Sequence, residues 1–305
     1  MNTLSVGRKS KIEILSASAA WPYLQLVRPA NLITAMADIL AGYAIAGMPN
    51  LKVLFCLLIS TIGLYGGGVV LNDVFDTGLD AVERPERPIP AGRVPSFRAA
   101  LLGSFLLLIG VAAGFQAGPI SGLISLSIAF FALLYDAWGK TEPVVGSIGM
   151  GTCRGLNLLL GMSAAPPLLS RNWPLASVAF FYITAVTLLS KGEVSGGRPG
   201  QSRGSFVLLA LAMLSLVLLA ARPPVGRAAL FPFLFLLAVR VVPPFWRAAL
   251  KPEPGPIRAA VKAGVLSLII LDAAIAAGHA GFFYGLVLLS LSLLAGPLAR
   301  LFAVT

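Results

Sequence analysis

The sequence predicts an all-α polytopic membrane bundle of nine transmembrane helices, or ten if the last apolar run also crosses. Three observations carry this expectation. The 305-residue chain is 57% hydrophobic and only 11% charged, with a mean hydropathy of +0.89, a composition that a water-soluble domain of this length does not tolerate. The apolar residues fall in runs of about 20, the length a helix needs to cross a bilayer. The basic residues sit in the short connections between those runs, where they set orientation in a membrane. Because they are spread over many connections, the formal net charge of +11 lends no support to a nucleic-acid partner.

Each element has its own signal. Residues 1–28 read as a tail followed by an interfacial helix, Ile12 to Val27, that Trp21 and Tyr23 would anchor at the membrane surface. Too few apolar residues follow Arg8, Lys9 and Lys11 for a cleaved signal peptide. Residues 29–305 form the membrane domain. Its first span starts after Arg28-Pro29, proline being tolerated in a first turn, and runs to about Met48. The second runs from about Val53 into Asn72, with Gly66, Gly67 and Gly68 allowing a neighbouring helix close. Ala99 to Ala117 and Pro119 to Tyr135 form a hairpin turned at Gly114 to Gly118. The fifth span, Pro143 to Ala164, carries Arg154 and Asn157 on one face, which must turn inward to avoid lipid. Leu175 to Leu189, Ser205 to Ala221, Ala228 to Val242 and a segment ending near Gly278 supply spans six to nine, and Phe282 to Leu301 is long enough for a tenth.

Single acids inside spans, Asp38 and Asp272, are expected to pair with an inward-facing Arg154 or Arg240. Cys56 and Cys153 lack metal-type spacing and read as packing residues. If the N-terminus and the connection after span two share a side, the opposite side holds only Lys52, Arg171, Arg222 and Arg227. The excess of bases on the first side makes it cytoplasmic, in a multi-pass protein of the cell inner membrane.

The chemistry concentrates in Asn72 to Arg93, NDVFDTGLDAVERPERPIPAGR. Asn72, Asp73, Asp76 and Asp80 are spaced i, i+1, i+4 and i+8, so a helix continuing through them places all four on an arc roughly 100° wide. Three carboxylates on one face repel one another unless a cation joins them, and hard oxygen ligands of this kind suit Mg²⁺. Arg84, Arg87, Arg93 and Arg98 follow, in a loop stiffened by prolines 85, 88, 90 and 95. Carboxylates, a magnesium ion and arginines together point to a diphosphate.

This N-D-x-x-D-x-x-x-D pattern with its Arg/Pro loop resembles the first aspartate-rich motif of the UbiA superfamily of membrane prenyltransferases. The likeness extends from Val27-Arg28-Pro29-Ala30-Asn31 to the ninth span. It implies helices around a central cavity open to lipid, with Asp73, Asp76 and Asp80 as the catalytic, magnesium-holding set and Asn72, Arg84 and Arg93 on the substrate. Lys140, after Leu134-Tyr135, resembles the family's basic segment that touches diphosphate, whereas Asp136 and Trp138 match nothing in the pattern. Inward-facing Arg154 and Asn157 join the substrate-binding candidates. Where the family carries a second acidic motif this chain has Ser190-Lys191-Gly192-Glu193-Val194-Ser195-Gly196-Gly197, leaving Glu193 as the one further metal ligand and Lys191 as a cation able to neutralise diphosphate in place of a metal. That segment, with Cys153-Arg154-Gly155-Leu156-Asn157, is most similar to the UbiA-like group of the bacterial Ebo gene cluster. The resemblance implies Mg²⁺-dependent transfer of a prenyl group from an isoprenoid diphosphate to an aromatic or lipophilic acceptor, with membrane lipid as the surroundings. The alternative is a noncatalytic isoprenoid- or lipid-binding or transport protein that has lost the second motif.

Overall fold

The computed structural model describes residues 18–220 and 227–302. Among these the regular structure is helical throughout. The helices are α1 Trp21–Val27, α2 Pro29–Ile45, α3 Leu51–Phe75, α4 Thr77–Glu83, α5 Ser96–Ala117, α6 Pro119–Ala137, α7 Pro143–Met162, α8 Pro166–Asn172, α9 Ala176–Ser190, α10 Pro199–Ala220, α11 Arg227–Leu250, α12 Pro254–Leu266, α13 Leu268–Ala280, α14 Phe282–Ser290 and α15 Ser292–Leu301. Seven helices among the described residues are long and apolar enough to cross a membrane, α8 and α9 counting as one length and α12 and α13 as another. Pro29–Ile45 and Phe282–Leu298 are shorter apolar helices.

The expected spans fall close to these helices, with two differences. The ninth is bent at Ser267, whose backbone N–H turns back to the carbonyls of Ala263 and Gly264. The run from Phe282 to Leu301 is two helical segments meeting at Leu291, the second containing Pro297, and through Leu298 they make one shorter apolar length. Of the expected interfacial helix, Trp21–Val27 is helical and residues 18–20 form a bend and turn, while residues 1–17 lie outside the described residues.

Small residues set the packing. An added Cβ at Gly67 would stand 2.7 Å from the Gly103 carbonyl of α5, and one at Gly63 would stand 2.6 Å from that of Leu106, so α3 and α5 touch backbone to backbone. The Ser60 hydroxyl donates to the Gly110 carbonyl at 2.7 Å across the same seam. Between α2 and α7, Gly161 lies against the Ile39 backbone. Helices α2, α3, α5, α6 and α7 surround one buried apolar cluster, and α2, α7 and α9 to α13 surround a larger one. Helices α2 and α7 belong to both, and the cavity opens beside them.

Candidate active site

The cavity measures about 520 Å³ and is walled by α2, α3, α6, α7, α9 and the α12–α13 bend. Its middle is apolar, with Leu64, Ile128, Ile183, Val186, Val265 and Leu268 among the lining residues, while its mouth is charged. That is the polarity of a ligand with an ionic head and an apolar body.

The mouth is built where α3 ends. The helix is interrupted for one residue at Asp76, with φ −89° and ψ 2°, where the Thr77 hydroxyl donates to the Val74 carbonyl at 2.8 Å while the N–H groups of Asp76 and Asp80 still reach the carbonyls of Asn72 and Asp76. The chain then restarts as α4. The acidic residues therefore straddle a break, and not the uninterrupted helix that the spacing suggests. Asn72, Asp76 and Asp80 line the cavity. Asp73 is buried and turned onto cations: Arg28 at 2.6 Å and Arg87 at 3.3 Å, with Arg87 also holding Asp80 at 2.7 Å. Lys140 pairs with Asp76 at 2.6 Å, lies over the Phe75 ring, and accepts through its backbone carbonyl a bond from the Lys191 ammonium at 3.3 Å. Asp76, Lys140 and Lys191 thus tie together three connections that are remote in sequence.

Among the other expected residues, Arg84 and Glu193 both line the mouth. Glu193 faces Arg84 and Arg258, and its half-burial raises its carboxyl above the ordinary glutamate range while the two arginines oppose the rise. Lys191 is also half-buried; lost hydration lowers its ammonium pKa, Asp76 acts to raise it, and Lys140 lowers it further. Arg93 does not line the cavity. It donates to the Gln25 side chain at 2.9 Å and the Glu86 carbonyl at 2.6 Å, and so fastens the Arg/Pro loop to α1. Arg28, outside the aspartate spacing, takes φ 51° and ψ 69°, a left-handed conformation at a non-glycine residue, at the turn between α1 and α2, and its guanidinium reaches Asp73. The basic residue immediately before the first span was the available signal.

Arg154 and Asn157 sit deeper, at the cavity floor. Arg154 approaches Asp38 at 2.7 Å and Asp272 at 3.9 Å and donates to the Thr34 carbonyl at 2.7 Å. Asn157 donates to Asp38 at 2.8 Å and to the Ala35 carbonyl at 2.9 Å, and accepts from Thr61 at 2.8 Å. Of the partners considered for Asp38 and Asp272, Arg154 is the one observed. Cys153 lines the cavity as well as packing.

The acidic mouth offers oxygen donors, the ligand chemistry that Mg²⁺ takes. Asp136 Oδ2, buried at this mouth without a hydrogen-bond partner, is an atom such a cation would satisfy. Among the described residues no three His, Cys, Asp or Glu side chains converge into a preassembled metal site. Asp73 and Asp80 are bridged by Arg87, Asp73 also meets Arg28 and Asp76 meets Lys140, and a metal cation would exchange with these partners.

Residues 32–259 match the model of the UbiA prenyltransferase family. A digeranylgeranylglyceryl phosphate synthase of Methanothrix thermoacetophila is 34% identical over 229 residues, 67% of this chain and 80% of that one. Two solved structures share the fold. The apo structure of a UbiA homolog from Aeropyrum pernix K1 has a TM-score of 0.70 at 17% identity, covering 80% of this chain and 96% of that one. The structure of a UbiA homolog from Archaeoglobus fulgidus bound to GPP and Mg²⁺ has a TM-score of 0.61 at 16% identity, covering 86% and 99%. The chain belongs to the UbiA prenyltransferase family and is an integral, multi-pass membrane protein.

Proposed function

We propose that the protein transfers a prenyl group from an isoprenoid diphosphate to a hydroxyl of a lipid acceptor at the mouth of this cavity. The observation that carries the reading is one cavity that joins apolar walls, with Arg154 and Asn157 beyond them, to a mouth where Asn72, Asp76 and Asp80 stand beside Arg84, Arg87 and Lys191. An amphiphile with a diphosphate head fits that arrangement. The name of the Methanothrix relative describes formation of a diprenylated glyceryl phosphate, which favours a glyceryl phosphate lipid over an aromatic acceptor here.

Asn72, Asp76 and Asp80, with Asp73 once freed from its arginines, are the residues that would hold magnesium, which when bound supplies positive charge to the diphosphate. Arg84 and Lys191 hold the head by charge-assisted hydrogen bonds, and the apolar wall orients the chain and excludes water from its first carbon. In the transfer the bond between that carbon and the diphosphate oxygen breaks, the electron pair leaving with diphosphate. The acceptor oxygen forms the new carbon–oxygen bond and its proton passes to water at the mouth. Orientation follows the distribution of bases, with the mouth cytoplasmic.

A noncatalytic donor-binding protein is the second reading, favoured by the ion pairs that already occupy Asp73 and Asp80 and by Glu193 being the one acid in the second loop. The test is incubation of detergent-purified protein with Mg²⁺, labelled geranylgeranyl diphosphate and a prenylglyceryl phosphate acceptor. Labelled lipid product with stoichiometric diphosphate release is the expected result. Tight Mg²⁺-dependent donor binding without diphosphate release, whatever the acceptor, supports the second reading, and neither binding nor release overturns both.

A further inference from the structure

Asp136 has no counterpart in the aspartate pattern of α3, yet it occupies the same mouth. It ends α6 beside Tyr135, lines the cavity and is only 3% exposed. One carboxylate oxygen accepts the Asn72 side-chain N–H at 2.8 Å. The other, Oδ2, is buried with no hydrogen-bond partner. A buried carboxylate oxygen is disfavoured until a donor or a cation completes it, and the neighbouring cations are directed elsewhere: Lys140 to Asp76, Arg28 to Asp73, Arg87 to Asp73 and Asp80. The Asn72 contact has a second consequence. With its N–H given to Asp136, Asn72 presents its amide oxygen away from that contact, and Asp76, one helical turn on, has its backbone N–H on the Asn72 carbonyl at 2.9 Å. Asp136 and Asn72 are thus joined across two helices at the mouth that Asp76 also lines.

We infer that Asp136 is a direct ligand of a divalent, hard cation at this mouth. It adds a carboxylate from α6 to the mouth that Glu193 of the Ser190 to Gly197 segment also lines. The inference rests on the metal-assisted reading given above, and adds to it a ligand that the aspartate spacing does not contain.

The experiment measures binding, not turnover. Free Mn²⁺ is titrated by electron paramagnetic resonance against the full chain in detergent, with inorganic pyrophosphate present, for the wild type, Asp136→Asn, Asn72→Ala, the double variant, and Asp76→Asn as reference. Asp136→Asn is expected to weaken Mn²⁺ binding by more than the roughly tenfold that loss of an outer-shell partner costs, and to do so again in the Asn72→Ala background. An unchanged affinity overturns the inference. So does a loss that vanishes in the Asn72→Ala background, because Asp136 would then only orient Asn72. If Asp136→Asn yields no folded protein, Asp136→Ser carries the same comparison. Absence of Mn²⁺ binding to the wild type overturns the metal reading with the inference. A defect in Asp76→Asn without one in Asp136→Asn overturns the inference alone.

Discussion

Lys191 and Glu193 stand two residues apart on one loop, and their surroundings assign them different work. Lys191 is joined to Lys140 and, through it, to Asp76, whereas Glu193 looks across to Arg84 and Arg258. Lys191→Ala is therefore expected to weaken geranylgeranyl diphosphate binding by roughly 1–3 kcal/mol, the worth of a charge-assisted contact, and Glu193→Gln by less, as read by calorimetric titration. Binding should also depend on pH. The ammonium form of Lys191 binds the donor, and burial lowers its pKa below that of an exposed lysine, so affinity is complete below that pKa and falls as pH rises through it, earlier than for an ordinary lysine. Lys191→Arg keeps its charge throughout and should flatten the profile; a profile unchanged by that substitution removes Lys191 from the site. Asp76→Asn strips a carboxylate that lines the mouth and should abolish Mg²⁺-dependent binding.

Helices α2, α7 and α13 are joined through Asp38, Arg154 and Asp272, all three buried. Inside a bilayer such a group is tolerated only as a set. Arg154→Met leaves two acids facing each other without their cation and is expected to cost about 3–5 kcal/mol, while Asp38→Leu, Arg154→Met and Asp272→Leu combined should recover much of it, since a well-packed apolar replacement avoids the burial of charge. Thermal unfolding in detergent reads both. Equal loss in the single and triple variants would mean that these helices need the polar contacts to Thr34, Ala35 and Asn157 as well, and no loss in the single variant would remove the ion set from the account. The α3–α5 seam makes a sharper demand, because at Gly67 any side chain meets backbone.

For the whole molecule the question is which way the mouth faces. Ser195 lies on the exposed loop at the mouth and Ser170 on α8, beyond the opposite end of α7. In a background with Cys56 and Cys153 changed to serine, Ser195→Cys is expected to react with a membrane-impermeant maleimide from the cytoplasmic side and Ser170→Cys from the other. Both reacting from one side would refute the topology, and reversal would refute the orientation read from the bases.

The membrane class, the approximate spans, the acidic helix end and the inward need of Arg154 were all legible in the residues, because each rests on local physics: hydropathy over a span length, charge spacing along a helix, and the cost of ions in lipid. Pairing was not legible. Which acids Arg154 meets, the use of Arg28 on Asp73, the diversion of Arg93 to Gln25 and the arrival of Asp136 beside Asn72 all join segments many residues apart. Such contacts depend on how α2, α3, α6 and α7 pack. The interruption at Asp76 is of another kind: it is local, with Thr77 turned onto Val74, but the i, i+1, i+4, i+8 spacing allows a continuous helix there as readily as a broken one, so the backbone alone decided it.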